Sequence, residues 1–486
     1  MQTIVYIEIA IYLIAMLAIG IYFSKKDLSH SDYFLGGNKL PGWALAFSER
    51  ATGESAYMFL GAIGFIYVAG LSGIWILSGM FLGVIVSWLF LSKRFMTEQQ
   101  KYKVNSLTDY IAVKFPKHAD IIRWLASGVL VLFFVCYLAA QFSGMGKTIY
   151  SFSGFNITWG TIIIAAIIIA YSCMGGFMSV VWTDTIQSFL MLASFIIVPI
   201  AAFMEIKNQG LSISTELANM GNSADSWVGG LNGIALGAML FTNLSWFFGW
   251  LGGQPQLSSR FMAITTEKER VIGRNMAIIW TLIVYIGAFL SAIFASTLYK
   301  QGTIDDPEMI LPHMVFEILP PWIAGIIVAG ILAAIMSTAS SQLLVITTSI
   351  SEDIIHKTLR WNISSRKLVH LSRLVAVISG IVGVIISLKS GSVIYGLVSF
   401  AWAGIGNTFS ATILLVFFWR KTSGVGVIAT IITGFFSAIL WTISPIEEIV
   451  SAKAGTFFIC LIIGIIMSLL FPETKLEKIN DSREVI

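Results

Sequence analysis

Residues 47–61 read "FSERATGESAYMFLG" and place Glu49, Arg50 and Glu54 among hydroxyls inside an otherwise apolar stretch. An ionisable residue at membrane depth is expensive, and by default it marks a functional site. A second polar group sits in residues 321–354, where Ala334, Ser337, Thr338 and Ser341 fall at i, i+3, i+4 and i+7. That spacing makes one stripe of a helix, and Ser340 lies beside it. Such hydroxyls suit sodium, a hard cation that takes about five or six oxygens. One helix cannot surround an ion, but an interrupted helix opposite could add carbonyls that would otherwise lack partners. Ser and Thr in membrane helices also bond back to the carbonyl four residues earlier, and on residues alone both readings stand.

A third group is "WFFGWLGGQPQ", residues 246–256, where Gly249, Gly252, Gly253 and Pro255 should interrupt regular helix. Its rings, Trp246 and Trp250, can wall a small solute or act as gates. They could equally be ordinary packing or an interfacial belt. Catalytic chemistry finds little support. The cysteines, Cys136, Cys173 and Cys460, fall singly within predicted spans, and His30, His118, His313, His356 and His370 lie in loops or at span ends. No disulfide framework, metal spacing or nucleophile–base constellation emerges, so an enzyme is not expected.

The elements that position these groups follow from composition. The 486 residues are 57% apolar and 12% charged, with a mean hydropathy of +0.85; a soluble domain carries about a quarter charged residues. Apolar runs without period-2 alternation indicate an all-α polytopic membrane protein. Thirteen spans are predicted: 3–24, 42–70, 73–96, 122–149, 158–177, 184–205, 230–254, 273–299, 321–350, 370–389, 392–419, 424–443 and 454–471. The first is read as a retained span, since it lacks a basic start and a cleavage site. With the N-terminus outside, 24 of the 30 Lys and Arg residues fall on the cytoplasmic side, as the orientation rule requires. Lys147, Lys207, Lys300, Lys389 and Lys453 fall outside, and Arg50 stays within a span.

Spans 2 and 7 each carry an interruption. Taken as the first helices of two five-helix units, spans 2–6 and 7–11, they occupy matched positions in an inverted repeat. The chain then divides into 1–41 (leading helix and loop), 42–229 (first repeat), 230–423 (second, inverted repeat) and 424–486 (two trailing helices and tail). The gap between the interrupted helices is the expected solute site, lined by Ser55, Ala56, Tyr57, Trp246, Trp250 and Pro255.

Several stretches resemble the sodium:solute symporter family, most closely its sodium/proline symporter branch. They are "YSCMGGFMSVVWTDTIQSFLM" (171–191), "QPQLSSRFMA" (254–263), "PWIAGIIVAGILAAIMSTASSQLLVITTSISEDI" (321–354) and "GLVSFAWAGIG" (396–406). The resemblance implies a LeuT-like inverted-repeat fold and sodium-coupled import of a small solute, most simply L-proline, across a plasma membrane. It places the principal Na+ among carbonyls of Ala51, Glu54 and Ala334 and hydroxyls of Ser337 and Thr338. A second Na+, found in some relatives, would use Asp184 with Ser337, Ser340 and Ser341; Asp184 could instead cap span 6. Tyr137 matches a tyrosine near the solute in the proline branch. The partners implied are the ion, the solute and the bilayer, with no nucleic acid and no obligate protein partner.

The chain also departs from that branch. Where "Ser-Asp-Met-Ser-Gly-Trp" is expected, it has Thr52, Gly53, Glu54, Ser55, Ala56 and Tyr57. Glu54 could replace the missing carboxylate, bind a solute ammonium, accept a proton, or pair with Arg50. The other readings are a sodium symporter for a different amino or carboxylic acid, and a proton-coupled carrier using Glu54 or Asp184.

Overall fold

The computed structural model describes residues 2–24, 35–36, 39–361, 363–390 and 394–473. His30 and the basic residues Lys25, Lys26, Lys475, Lys478 and Arg483, used above for orientation, lie outside them. The described chain is built of helices. The leading helix α1 (Gln2–Ser24) is followed by α2 (Gly42–Ala56), a wide π-type turn (Tyr57–Ala62) and α3 (Ile63–Ala69). The chain turns at Gly70, whose φ of +65° and close approach to Ala224 both exclude a side chain. It returns through α4 (Ile74–Val86) and α5 (Ser92–Tyr102).

A short helix α6 (Leu107–Lys114) leads to α7 (Ala119–Ser153) and α8 (Ile157–Asn208). After α9 (Ile213–Asn219) come α10 (Gly233–Leu244), α11 (Trp246–Gly249) and α12 (Pro255–Met262), three pieces of one interrupted helix. Next are α13 (Glu267–Leu298), α14 (Ile310–Ile318) and α15 (Pro321–Thr348), the last prolonged by a π-type stretch to Thr358. α16 (Ser365–Ser390), α17 (Ile394–Ala401), α18 (Thr408–Phe418), α19 (Gly424–Thr442) and α20 (Ala452–Leu470) complete the chain.

Among the described residues ten helical segments are long and apolar enough to cross a membrane, and Ile157–Ser172 and Gly233–Gly249 are shorter apolar helices. One of the ten, Gly42–Tyr102, covers two predicted spans. The surface they present is apolar, with Ile11, Ile14, Phe90, Ile279, Ile381, Phe436 and Ile466 exposed; such a face belongs in lipid. The interior is the reverse. Ser, Thr, Gln and charged side chains of α2, α8, α12 and α15 are fully buried where these helices meet.

Two boundaries differ from expectation. Spans 5 and 6 form one helical run broken only at Gly176, with φ +59° and ψ −160°. The sequence reading leaves a short loop at 178–183 between them. Instead Ser179, Thr183, Thr185 and Asp184 are buried, and the Thr183 and Thr185 hydroxyls donate to carbonyls one turn back. Asp184 therefore lies two turns inside the second half and does not cap it. Span 7, expected to end at 254, continues through α12 to Met262. Pro255 takes the first position of that helix, where its missing N–H costs nothing, so the interruption lies within the span.

Candidate ion and solute site

The break in α2 is a single residue. Ser55 has φ +57° and ψ −171°, a region that essentially only glycine visits without strain. Neighbouring groups hold it there. The Ala56 N–H donates to Gln141 Oε1 of α7 at 3.0 Å, and the Tyr57 N–H to Ser55 Oγ at 3.0 Å. The Tyr137 hydroxyl, also on α7, reaches Ser55 Oγ at 3.4 Å. Because the Ala56 amide turns to Gln141, the Thr52 carbonyl loses its helical donor.

Carbonyls of the turn before the break meet the hydroxyl stripe of α15. Ser337 Oγ lies 3.0 Å from the Ala51 carbonyl oxygen and 2.9 Å from that of Ala334. Thr338 Oγ1 lies 2.8 Å from the Thr52 carbonyl and 3.1 Å from that of Ala334. Five oxygens from two helices thus converge, all fully buried, as a hard cation requires. The Glu54 carbonyl accepts the Tyr57 amide, one turn beyond this cluster.

One helical turn toward α12 lies a second polar group, in which Asp184 Oδ2 accepts from Ser48 Oγ at 2.7 Å, Thr52 Oγ1 at 3.1 Å and Arg260 Nη2 at 3.0 Å. The same Arg260 Nη2 donates to Ser341 Oγ at 2.7 Å, and Ser341 and Thr52 hydroxyls are 3.1 Å apart. A guanidinium therefore stands between Asp184 and Ser341. Ser340 Oγ turns to the Ser337 carbonyl at 3.0 Å. Arg260 also lines a cleft with Ser106, Phe177, Pro255, Ser259 and Ser349, which places Pro255 on this side of the ion cluster.

On the other side of the break the aromatic residues stack. The Tyr57 ring is 4.4 Å from Trp246, and Trp402 of the π-type turn Trp402–Asn407 is 5.5 Å from Trp246 and 5.2 Å from Trp250. Gly249 makes room for the Trp402 indole, and Gly253 for the Gly406 carbonyl and Ser410. These contacts explain the glycines of the second break. Among the described residues, the Tyr57 hydroxyl, Trp250 Nε1, Gln141 Nε2 and Glu54 Oε2 are buried without hydrogen-bond partners. Buried polar atoms are normally satisfied, so orphans gathered around two helix breaks suit a site that receives a polar guest.

Comparison with known proteins matches the sodium:solute symporter family over residues 33–434. The chain belongs to this family. The Bacillus subtilis high-affinity proline transporter is 31% identical, covering 97% of this chain and 100% of its own length. The sodium/proline symporter of Escherichia coli is 29% identical, covering 90% and 87%. A solved structure of a Na+-coupled sialic acid symporter, substrate-bound and outward-open, matches with a TM-score of 0.80 at 22% identity, covering 97% of this chain and 99% of its own. A nucleobase-cation-symport-1 family transporter in a closed conformation matches at 0.55 and 13%, covering 94% and 100%. The fold is the LeuT-like one, and the family makes the chain a sodium-coupled solute symporter rather than an enzyme.

In this symporter the departures at 52–57 have physical reasons. A Cβ at Gly53 would lie 2.7 Å from the Trp250 ring, so no aspartate fits beneath that indole. Glu54 points elsewhere, with Oε1 3.4 Å from Arg50 Nη1 and 3.3 Å from the Tyr285 hydroxyl. Arg50 also pairs with Glu49 and lies 4.7 Å over the Trp250 ring; Glu49 accepts from Trp88 Nε1 at 3.1 Å. Of the four roles open to Glu54, pairing with Arg50 is the one the side chain adopts. Gln141 is not among the sequence candidates, and its signal is a glutamine within an apolar span; Arg260 falls in a cytoplasmic loop on the sequence reading, because span 7 ends there at 254.

Proposed function

We propose that this symporter imports L-proline or a related small amino acid by alternating access, driven by one sodium ion. The reading is carried by one observation: the carbonyls of Ala51 and Thr52, in the turn before the Ser55 break, lie 3.0 and 2.8 Å from Ser337 Oγ and Thr338 Oγ1. Sodium would bind there with the Ala334 carbonyl, and Thr52 would take the place first assigned to Glu54. Ion binding would fix the broken helix against α15 and so complete the solute site formed by Ser55, Ala56, Tyr57, Tyr137, Trp246 and Trp250. Release would proceed through the cleft beside Pro255 and Arg260.

A single ion is favoured because Arg260 already neutralises Asp184; another sodium among Asp184, Ser340 and Ser341 would add uncompensated charge. Proton coupling through Asp184 is disfavoured by the same logic, since it faces its own guanidinium, whereas Glu54 shares Arg50 with Glu49. In the bilayer the proposal keeps thirteen crossings of a plasma membrane, with the N-terminus outside and the C-terminus cytoplasmic. The repeats would span 42–229 and 230–423, between 1–41 and 424–486.

Proteoliposomes test the reading directly. Radiolabelled proline should accumulate under an inward sodium gradient, not when choline replaces sodium, with a Hill coefficient for sodium near one. Sodium-independent flux would remove the coupling, and a coefficient near two would place a second ion beside Asp184.

A further inference from the structure

Lys453 was counted from sequence as one of five basic residues on the outer side. In the structure it sits in the first turn of α20, a trailing helix outside both proposed repeats, and it is 2% exposed. Its Nζ lies 4.7 Å from the centroid of the Trp246 ring and 5.9 Å from that of Tyr395. It donates to Ser451 Oγ at 2.9 Å and to Ser399 Oγ. Among the described residues no carboxylate comes within 4.0 Å of it. Glu447 reaches it only indirectly, through the shared Ser451 hydroxyl, which donates to Glu447 at 3.2 Å; the other Glu447 oxygen accepts the Ala452 N–H at 2.6 Å.

Other sheltered lysines are paired: Lys147 meets Asp306 and Glu308, and Lys357 meets Asp109 and Glu352. A buried ammonium that no carboxylate touches directly among the described residues is costly, and an anion arriving beside it would relieve that cost. The neighbouring stack offers a second donor. Tyr57, 4.4 Å from Trp246 and 5.7 Å from Tyr395, has a buried hydroxyl with no partner among the described residues. The position is held firmly, since Asn407 Nδ2 bonds the Lys453 carbonyl.

We propose that Lys453 binds the carboxylate of the solute, with the Tyr57 hydroxyl as a second donor, so that this transporter takes small carboxylates and zwitterionic amino acids rather than neutral solutes. The proposal rests on the reading that Tyr57 and Trp246 face the solute, but it does not require the solute to be proline.

Full-length protein in saturating sodium is assayed by thermal stabilisation with acids and their primary amides: proline and prolinamide, alanine and alaninamide, lactate and lactamide. At least one acid should half-saturate wild type at about tenfold lower concentration than its amide. Lys453→Gln should erase that preference while sodium alone still stabilises the protein, and Lys453→Arg should retain part of it. An acid preference that survives in Lys453→Gln overturns the proposal, as does a wild type stabilised by no acid. If the proline pair is silent while another pair depends on Lys453, the proline reading falls and this one stands. Should Lys453→Gln not fold, Tyr57→Phe decides: its half-saturation for the acid must rise several-fold, and an unchanged value overturns the proposal.

Discussion

Ser337 and Thr338 each bond back within α15 and also across to the broken helix. The back-bonding left open from sequence alone is thus present, beside the cross-helix contacts that the proposed sodium site would use. Removing one leaves the Ala334 carbonyl to the other hydroxyl, takes the cross-helix donor from the Ala51 or Thr52 carbonyl, and removes a ligand of the proposed ion site. If the ion–dipole contact is taken as comparable to a hydrogen bond to a charged group, about 1.5–3 kcal/mol, Ser337→Ala or Thr338→Ala should raise the half-saturating sodium concentration roughly 10- to 150-fold. Sodium titration of thermal stability measures this. Gly53 gives a second prediction at this scale. Gly53→Ala should destabilise by about 1–3 kcal/mol through overlap with the Trp250 ring, and Trp250→Phe in the same chain should recover part of the loss. Equal melting temperatures for Gly53→Ala and wild type would refute the packing argument.

Helix breaks are the decisive feature at the scale of elements. Gly176 and Ser55 share nearly the same backbone conformation, φ +59° and +57° with ψ −160° and −171°. At Gly176 the conformation is free, and Gly176→Ala should cost about 1–3 kcal/mol. At Ser55 the same strain is already present, held by Gln141, Tyr137 and the helix on either side. Ser55→Gly should relieve it and raise the melting temperature of the sodium-free protein, while weakening solute binding through loss of the Ser55 Oγ contacts. Gln141→Leu should act oppositely, since it leaves the buried Ala56 N–H without an acceptor at a cost of about 1–3 kcal/mol. Chemical denaturation of the four proteins, read beside sodium affinity, separates backbone strain from ligand loss.

For the whole molecule, sodium and solute must raise each other's affinity by the same factor, because both act on one equilibrium between states. A coupling of roughly 1–3 kcal/mol would appear as a 5- to 150-fold shift in either titration; independent titrations would remove the coupled carrier. The sequence by itself determined the helical membrane architecture, the two interrupted spans, and the stretch of α15 that supplies hydroxyls. Those features depend on local chemistry: apolar length, glycine and proline positions, and a 3.6-residue stripe. Only the tertiary structure decided which carbonyls those hydroxyls meet, that Arg260 stands between Asp184 and Ser341, that Glu54 turns to Arg50, and that Lys453 lies beneath an aromatic stack. Each of these joins residues from distant helices, and a buried charge takes its partner from whatever neighbouring helices place within a few ångströms. A one-dimensional pattern holds the charges, but not their pairing.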